Sequence, residues 1–394
     1  MRIALVHDWI TGLRGGERVL DTLARHYPDA DLFTLFYQPG STTEAIDSLR
    51  VRASFLNQVP GARRHYRKLL PLYPLAMRQL RVEGYDLVLS ISHAVSKNIR
   101  IEGGVPHLCY CLTPMRYVWD QIDAYLGRGP RRALAAPLVA ALRRHDLTYS
   151  SPERVDRFLG ISSAVADRIR RHYGRSARIL HPPVDVERIR PDNREPDDFY
   201  LLIGGFVPYK REEIAIEAFR QRAERLVIIG DGPTRRRLEA RAPANVEFTG
   251  RITDDELRTR LQRCRALIHP QNEDFGIAAV EAQAAGRPVI ALGRGGALDT
   301  VRPLALTHSD GRVDWREESR PTGLHFSEQS PEGLGTAMDT FAAHAHRFDS
   351  QEIRAHAEGF AEQRFLAEIS AEIDALASGQ ATSLPRIEAE GPHA

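Results

Sequence analysis

The sequence has 394 residues, 42% of them hydrophobic and 27% charged, which suits a globular protein of two or three domains of roughly 150 residues each. This composition excludes a disordered chain, a coiled coil and a small disulfide-stapled scaffold. The net charge of +2 hides an asymmetry, because residues 1–190 carry 29 Lys and Arg against 18 Asp and Glu, whereas residues 191–394 carry 25 against 34.

The first half of the chain begins with an apolar run, residues 2–7, that predicts a buried strand. A glycine-rich turn at 12–17 and an amphipathic helix with Val19, Leu20 and Leu23 on one face follow it. Strand, glycine turn and helix form the start of a βαβ unit. Five further strands are predicted at 32–36, 86–91, 108–112, 158–161 and 179–181.

The second half repeats this pattern after a polar, proline-containing stretch at 184–198, which is typical of a linker. Strands are predicted at 200–206, 225–230, 245–250, 266–270 and 288–292, with helices between them. The fold class predicted is therefore α/β, with two doubly wound Rossmann-like domains, 1–183 and 199–350, facing each other across a cleft. A helical segment at 351–377 is expected to pack back toward the first domain, and 378–394 is expected to be a disordered tail.

Cysteine usage and the N-terminus predict a location inside the cell. The three cysteines, Cys109, Cys111 and Cys264, are too few for a disulfide framework. The N-terminal apolar run is too short for a signal peptide, and no run of 18 apolar residues exists to span a bilayer. We expect a cytoplasmic protein.

The segment 273–281 passes from a loop into a helix and carries the first chemical signal. Gly276 and Ile277 fall at the helix start, where backbone N–H groups and the helix dipole favour an anion. Glu273 ahead of the helix and Glu281 inside it can each accept hydrogen bonds from hydroxyl groups. An anion between two carboxylate-bound polyols describes a nucleotide sugar, although either glutamate alone is also typical of a solvated helix charge.

Glycine-containing loops follow the other strands of the same half. The loop 204–211 brings Lys210 to the carboxyl end of a strand, where open α/β sheets bind ligands, and offers a point charge to a diphosphate. The turns after the next two strands would let backbone approach a ligand. The residues predicted from these loops to bind a donor are Gly204, Gly205, Lys210, Arg211, Gly230, Asp231, Gly250 and Arg251.

These motifs resemble the retaining glycosyltransferases of family 4 (group 1 glycosyltransferases), which have the GT-B fold. The likeness rests on Glu273 and Glu281 in an E-x7-E arrangement and on PYKR at 208–211, GDGP at 230–233 and FTGR at 248–251. In the first half it extends through 7–20, 84–97 and 109–120, which look like the branch of O-antigen and exopolysaccharide mannosyltransferases.

The resemblance implies roles for individual residues. Lys210 matches the lysine that binds the diphosphate, and Glu273 matches the carboxylate that binds sugar hydroxyls. His93 matches a histidine that contacts the donor sugar near its reacting face, so these three are the predicted catalytic residues. The remaining matches are to donor-binding positions: Gly15, Gly16, Asp274, Phe275, Gly276, Ile277 and Glu281.

Two positions depart from the family pattern. Gly205 stands where many members have an arginine that shares the diphosphate charge, so Arg211, Arg14 or another arginine of the first half would have to supply it. Leu112 stands where this branch has the histidine of an H-T-P motif, which predicts a different acceptor preference. Arg14, Thr113 and Arg116 are the candidates for the acceptor side.

The reaction that the resemblance implies is transfer of a hexose to a hydroxyl with retention of configuration, through front-face attack. The co-substrate is a nucleotide sugar, with GDP-mannose favoured over a UDP-sugar, and a lipid-linked glycan of a bacterial surface polysaccharide is the expected acceptor. The enzyme is predicted to need no cofactor and no metal, and its activity is expected to persist in chelator. A GT-B nucleotide-sugar 2-epimerase and a catalytically silent nucleotide-sugar-binding relative stay open as alternatives.

Two basic stretches of the first half suggest a partner surface. Arg63, Arg64, Arg67 and Lys68 lie among apolar and aromatic residues, and Arg131, Arg132, Arg143 and Arg144 bracket the apolar stretch 133–142. Such stretches are typical of peripheral contact with an anionic membrane, and equally of ordinary solvated helix faces. No motif of nucleic-acid binding accompanies the charge, so no nucleic-acid partner is expected.

Overall fold

A computed structural model describes residues 1–62, 66–120, 122, 127, 129–192, 194–304 and 320–379. It divides the chain into two compact units. Unit 1 comprises Met1–Pro183 together with the chain from Gln363 onward, and unit 2 comprises Val184–Glu362.

Unit 1 is built on a parallel sheet whose seven described strands lie in the order β3-β2-β1-β5-β7-β8-β9. Its central strands are apolar and buried along their whole length, as expected of a parallel sheet covered on both faces. A separate two-stranded sheet pairs β4 with β6. The strands are β1 (Ile3–His7), β2 (Asp31–Thr34), β3 (Arg50–Ala53), β4 (Arg81–Val82), β5 (Leu87–Ser92), β6 (Arg100–Ile101), β7 (His107–Cys111), β8 (Arg157–Gly160) and β9 (Ala177–Ile179).

The helices of unit 1 connect these strands. The described α-helices are Gly15–His26, Glu44–Asp47, Tyr73–Gln79, Pro130–Thr148 and Ser163–Tyr173, and Glu362–Ala377 joins them from the end of the chain. Ser162 caps one helix through its hydroxyl, which accepts from the amide of Val165 at 3.2 Å, and Gly174 ends it in the left-handed region. Within the described residues, no helix is both long enough and apolar enough to cross a bilayer.

Unit 2 repeats the plan with six described parallel strands in the order β12-β11-β10-β13-β14-β15. The strands are β10 (Phe199–Gly204), β11 (Arg225–Gly230), β12 (Val246–Gly250), β13 (Leu267–His269), β14 (Val289–Leu292) and β15 (Gly323–Phe326). Its described α-helices are Glu212–Phe219, Arg235–Glu239, Asp254–Arg263, Ile277–Ala284, Ala297–Thr300, Pro331–His344 and Ser350–Glu358. The two α/β sheets confirm the fold class that the alternation of apolar runs and helices predicts.

The boundaries of the units differ from the predicted ones in two places. The stretch 184–198 is not a free linker, because Val184, Val186 and Ile189 are buried within unit 2. The segment 351–377 is not one helical piece, since the helix Ser350–Glu358 belongs to unit 2 and the chain joins unit 1 only from Gln363. Polar composition alone hid the alternating apolar residues of the first stretch.

Some predicted features lie outside the described residues. These are Arg63 and Arg64, the side chains of Arg67, Lys68 and Arg131, and the predicted tail from residue 380 onward.

Candidate functional site

The predicted glycines of unit 2 meet at the carboxyl edge of its sheet. Gly204 and Gly230 are register partners at the ends of β10 and β11. A Cβ atom on Gly230, whose φ is +133°, would overlap the carbonyl oxygen of Gly204, and one on Gly232 would overlap that of Gly205. Only glycine allows the two loops to pack backbone against backbone here.

A buried carboxylate holds the loop that follows β10. Glu212 accepts a hydrogen bond from the amide of Phe206 at 2.7 Å, and Thr234 donates to the carbonyl of Phe206 at 2.8 Å through its hydroxyl. Burial raises the pKa of Glu212 above its ordinary value, against the opposing effect of its backbone hydrogen bonds and of Lys210. The loop is therefore fixed from both sides before any ligand arrives.

Lys210 and Glu273 form an ion pair at this edge. Lys210 ends a short 3-10 turn, Pro208–Lys210, and Glu273 lies in the loop after β13. The Glu273 side chain is 17% exposed and that of Lys210 is 23% exposed, so both charges are largely withdrawn from water but still reachable. The neighbouring Arg211 pairs with Glu213 at 2.6 Å.

His269, at the end of β13, contributes to the same cluster. Its Nε2 lies 3.7 Å from Oε2 of Glu273, and its Nδ1 lies 3.1 Å from the side-chain nitrogen of Gln271. Burial, with the nearby charge of Lys210, lowers the pKa of His269 to about 3, so the ring is neutral at physiological pH. With Gln271 donating to Nδ1, the ring proton sits on Nε2 and points toward Glu273.

The helix Ile277–Ala284 begins directly beside this cluster. Its N-cap, Gly276, has φ of +92°, and a Cβ there would lie 3.1 Å from Nε2 of His269. Phe275 packs against Phe360 with ring centroids 5.7 Å apart, which anchors the loop. Glu281 is partly exposed one turn beyond Ile277, on the same face of the helix.

The predicted residues at the far edge of the sheet lie around an arginine. Gly250 ends β12 with φ of +75°, and a Cβ on it would lie 2.8 Å from Nη1 of Arg235. Arg235 lies 4.0 Å from Asp231 and 3.5 Å from Glu239, while Arg251 is exposed.

Unit 1 gathers a second cluster at the carboxyl edge of its own sheet. Asp8, directly after β1, is fully buried and accepts hydrogen bonds from the backbone amides of four consecutive residues, 93–96, at 2.6–2.9 Å. Its Oδ2 also lies 3.1 Å from Nδ1 of His93. Asp8 therefore fixes the loop that carries His93, and its carboxylate lies beside the imidazole ring.

The surroundings of His93 decide its charge state. Trp9 packs edge-on against the ring with centroids 4.3 Å apart, and the ring of His7 lies 5.7 Å away. Burial lowers the pKa of His93, and the positive charges of Arg116 and Arg14 act in the same direction, against Asp8. His93 is thus neutral at physiological pH.

The glycine loop of unit 1 lies against the same strand ends. A Cβ on Gly16 would come within 2.9 Å of Cδ1 of Leu112 and 3.3 Å of Cε1 of His7. Gly15 and Gly16 open the helix Gly15–His26, and the buried Glu17 follows them. Burial raises the pKa of Glu17 to about 7, although Arg14 opposes the shift.

The three predicted acceptor-side residues also lie at this edge. Thr113 accepts a hydrogen bond from Nη1 of Arg168 at 3.0 Å, and Nη1 of Arg14 lies 3.2 Å from the hydroxyl of Tyr66. Burial lowers the pKa of Arg168, and the charge of Arg116 lowers it further. Arginines therefore concentrate beside the strand ends of unit 1.

Two family models match the chain. Residues 13–188 match the model described as Glycosyltransferase Family 4, and residues 185–342 match Glycosyl transferases group 1. The chain belongs to glycosyltransferase family 4.

Two curated relatives illustrate how this family 4 chain relates to known proteins. It is 35% identical over 101 residues to O-antigen chain mannosyltransferase C of Escherichia coli, which covers 24% of the chain and 27% of that protein. It is 30% identical over 230 residues to D-inositol 3-phosphate glycosyltransferase of Streptomyces bingchenggensis, which covers 49% and 50%. The chain thus spans half or less of the length of these curated relatives.

The solved structure of sucrose-phosphate synthase from Thermosynechococcus elongatus superposes on 96% of the chain and on 100% of that protein, with a TM-score of 0.70 and 19% identity. At that identity the likeness shows the fold alone, and together with a lipopolysaccharide outer core galactosyltransferase at a TM-score of 0.64 it confirms the GT-B class.

The predicted residues of this family 4 chain fall into two sets. Within unit 2 the structure brings Lys210, Glu273 and Gly276 together, and within unit 1 it brings His93 and Gly16 to one sheet edge.

Five groups that hold these residues carry no motif in the sequence: the buried Asp8, Glu17, Glu212 and His269 and the partly buried Arg168. Their only signal was position, since each lies at a strand end or in the first turns of the helix that follows.

Proposed function

We propose that the chain is a retaining glycosyltransferase that moves a hexose from a nucleotide sugar to a hydroxyl group. The donor we propose is GDP-mannose and the acceptor a lipid-linked glycan of a bacterial surface polysaccharide, met from the cytoplasmic side. Similarity to the E. coli O-antigen mannosyltransferase supports mannose.

The observation that carries the proposal is the ion pair between Lys210 and Glu273 at a strand edge packed with glycines. A diphosphate brings a larger negative charge than one carboxylate, so it would replace Glu273 as the partner of Lys210. Glu273 would then be released to accept hydrogen bonds from sugar hydroxyls. Binding of the donor diphosphate to Lys210 and release of Glu273 for the sugar hydroxyls would therefore occur in one exchange of partners.

His269 supports this exchange because it is neutral and buried. Its protonated Nε2 faces Glu273, and this nitrogen lies 3.7 Å from Oε2. The ring adds no charge that would compete with Lys210 for the diphosphate, and it offers Glu273 a neutral donor once Lys210 has left. His269 is therefore a positioning residue in this proposal.

We assign His93 to the sugar-facing side of the reaction on the family pattern. Asp8 holds the loop backbone and lies 3.1 Å from Nδ1, so Nε2 would be the nitrogen that meets the substrate. The protein would stabilise the departing diphosphate through Lys210 and position the acceptor, so that the leaving phosphate takes the acceptor proton in a front-face attack. We propose that no metal takes part.

Thermal stability against a panel of nucleotides tests the donor. A ligand at 100 times its dissociation constant adds about 2.7 kcal/mol of stability, which is a visible shift. We expect GDP and GDP-mannose to stabilise the protein selectively. Selective stabilisation by UDP would overturn the mannose assignment, and no shift with any nucleotide would move the assignment to a silent relative.

Two substitutions test the partner exchange separately from catalysis. Lys210→Ala should weaken GDP binding and lower kcat/KM. The fall in kcat/KM should correspond to a loss of at least about 2 kcal/mol of transition-state stabilisation. Glu273→Gln should lower kcat/KM by a similar amount yet leave GDP binding unchanged or tighter, because Lys210 loses its competing partner. The exposed pair Arg220 and Glu217, with Nε and Oε2 2.7 Å apart, offers matched controls as Arg220→Ala and Glu217→Gln.

Turnover with and without acceptor separates transfer from epimerisation. Sugar release from the donor that needs no acceptor and yields an isomerised free sugar would assign the chain to the epimerase class instead. Weaker GDP binding in Glu273→Gln would contradict the exchange of partners while leaving the transferase assignment standing.

A further inference from the structure

Asp146 is a buried carboxylate near the end of the helix Pro130–Thr148, and three separate segments of unit 1 converge on it. It accepts hydrogen bonds from the ammonium group of Lys97, from Nε1 of Trp119 at 2.7 Å and from the hydroxyl of Tyr173 at 2.8 Å. These donors belong to the segments that follow β5, β7 and β8. One side chain therefore connects three segments that lie far apart in the sequence.

Lys97 belongs to the loop that carries His93, residues 93–97. Its side chain is 2% exposed, and its Nζ donates to the carbonyl of Ala94 in the same loop at 3.4 Å. Burial opposes its charge, yet the carboxylate of Asp146 raises the pKa of Lys97 above its ordinary value, so the ammonium group stays charged. The loop is thus held by Asp8 through its amides and by Asp146 through Lys97.

Trp119 belongs to the segment 112–120, which carries the acceptor-side candidates Thr113 and Arg116. Nε of Arg143, on the same helix as Asp146, donates to the carbonyl of Val118 at 2.7 Å, and its guanidinium lies 5.1 Å from the centre of the Trp119 ring. The helix therefore holds this segment through the side chains of both Arg143 and Asp146.

Tyr173 connects a third element to the same carboxylate. It is the last residue of the helix Ser163–Tyr173, and Arg168 of that helix donates to Thr113 at 3.0 Å. The segment 112–120 is thus contacted near its start by Arg168 and near its end by Asp146. A satisfied polar network of this kind holds its members in one arrangement.

We propose that Asp146 is a positioning residue that sets the loop 93–97 and the segment 112–120 in one fixed arrangement. The assignment rests on the proposed transfer reaction, in which His93 faces the donor sugar and Thr113 and Arg116 lie on the acceptor side. Small displacements of such groups are costly to the rate, because transfer requires the two reactants to be aligned. Asp146 would act on the rate through these loops and not by touching the substrate.

Asp31 provides a matched control in the sheet of unit 1. It is 5% exposed and accepts hydrogen bonds from the hydroxyl of Tyr85 and from Nη2 of Arg52, the latter at 3.5 Å. Like Asp146, it is a buried carboxylate bound by a tyrosine and a cation. It begins β2, however, and so lies at the amino edge of the sheet, opposite the edge that His93 follows.

Steady-state kinetics with the donor and acceptor, together with thermal melts, give the first test. Tyr173→Phe removes one donor and keeps the ion pair, whereas Asp146→Asn keeps the shape and weakens the bond to Lys97. We expect both to lower kcat by about tenfold or more and to leave the affinity for GDP within about twofold, because Lys210 lies in unit 2. Tyr85→Phe and Asp31→Asn should lower the melting temperature to a similar extent without changing kcat.

Fluorine NMR of the chain labelled with 5-fluorotryptophan gives a second test that needs no turnover. Trp9 packs edge-on against His93 with ring centroids 4.3 Å apart, so its signal reports on the loop 93–97, and that of Trp119 reports on the segment 112–120. Each signal is assigned by its own Trp→Phe variant. Asp146→Asn should shift both signals, whereas Asp31→Asn should shift neither.

Two results would overturn the proposal. One is a fall in kcat that the Asp31 and Tyr85 controls reproduce, since this would reduce the role of Asp146 to stability. The other is an unchanged Trp9 signal in Asp146→Asn, which would mean that the carboxylate does not set the loop 93–97. A parent chain that transfers no sugar would instead overturn the proposed function, and the fluorine signals would still decide whether Asp146 sets that loop.

Discussion

Glu17 in unit 1 offers a test of how burial sets charge at the candidate site. It is 4% exposed, and its Oε2 accepts from the backbone amide of Arg14 at 3.2 Å. Burial raises the pKa of its carboxyl from 4.5 to about 7. Glu17→Gln keeps the shape and the acceptor oxygen, since glutamine serves equally at the third position of a helix N-terminus, but it removes the titration.

The sign and size of the effect follow from linkage. Below pH 4.5 the carboxyl of Glu17 is protonated in both folded and unfolded chains, and its full contribution to stability is present. As the pH rises toward 7 the unfolded chain releases the proton while the folded one keeps it, so the free energy of unfolding falls. The pKa shift of Glu17 lowers the free energy of unfolding by about 3 kcal/mol in total, and this loss is complete above pH ~7.

The assay is urea denaturation followed by tryptophan fluorescence. Trp9 and Trp119 both lie in unit 1, and Trp315→Phe removes the third tryptophan, which lies outside the described residues. The free energy of unfolding of Glu17→Gln minus that of the parent should rise by about 3 kcal/mol from acid to neutral pH.

Glu83→Gln, at an exposed position of unit 1, controls for the replacement of a glutamate by a glutamine. A change below about 0.5 kcal/mol would refute the reasoning, because it would mean that the helix N-terminus and Arg14 outweigh burial and keep Glu17 ionised.

Two further substitutions test the geometry of the candidate sites. Asp8→Asn should destabilise unit 1 by about 2–4 kcal/mol, since an amide group would face some of the four buried N–H donors; thermal melts followed by fluorescence measure it. Its effect should disappear in acid, because the pKa of Asp8 lies below 3.8 and its stabilisation is lost as the pH falls through that pKa. Gly276→Ala should destabilise unit 2 by about 1–2 kcal/mol and weaken GDP binding, because Gly276 has φ of +92° and the added Cβ would lie 3.1 Å from His269. Gly335→Ala, inside the helix Pro331–His344, should have neither effect. Urea titration measures the stability, and calorimetry measures the binding of GDP.

Sequence patterns predict the elements that depend on local chemistry. Apolar runs such as residues 3–7 and 289–292 form buried strands because both faces of a parallel sheet are covered. The glycine loops at 204–205 and 230–232 were equally visible, since close backbone approach restricts these positions to glycine. Lys210 and Glu273 were found through motifs, and their pairing follows from parallel strands ending at one edge.

Groups whose role depends on a distant partner were not predictable. In the sequence, Asp8 is simply a polar residue that follows a strand. Its role arises because it accepts hydrogen bonds from the amides of a loop 85 to 88 residues later. His269 lies only four residues before Glu273, yet nothing in the sequence shows that its ring is buried against that carboxylate. The stretch 184–198 is wrongly predicted as a linker, because its polar composition conceals the buried Val184 and Val186.

Asp8 and Glu212 show how the groups around a buried carboxyl set the direction of its pKa shift. Burial alone would raise both pKa values. Asp8 receives four backbone amides and the neighbouring His93, and these lower its pKa below the ordinary value despite burial. Glu212 receives the amides of Phe206 and of its own residue, which do not offset burial, and its pKa is raised.

The two carboxyls nevertheless perform the same task in their own units. Each holds a loop at the carboxyl edge of a parallel sheet, so the backbone that a ligand would meet is ordered in advance. The two carboxyls differ in the candidate site residue that lies near each of them. Beside Asp8 lies His93, whereas near Glu212 lies Lys210, which pairs with Glu273 and, in the proposed reaction, with the diphosphate.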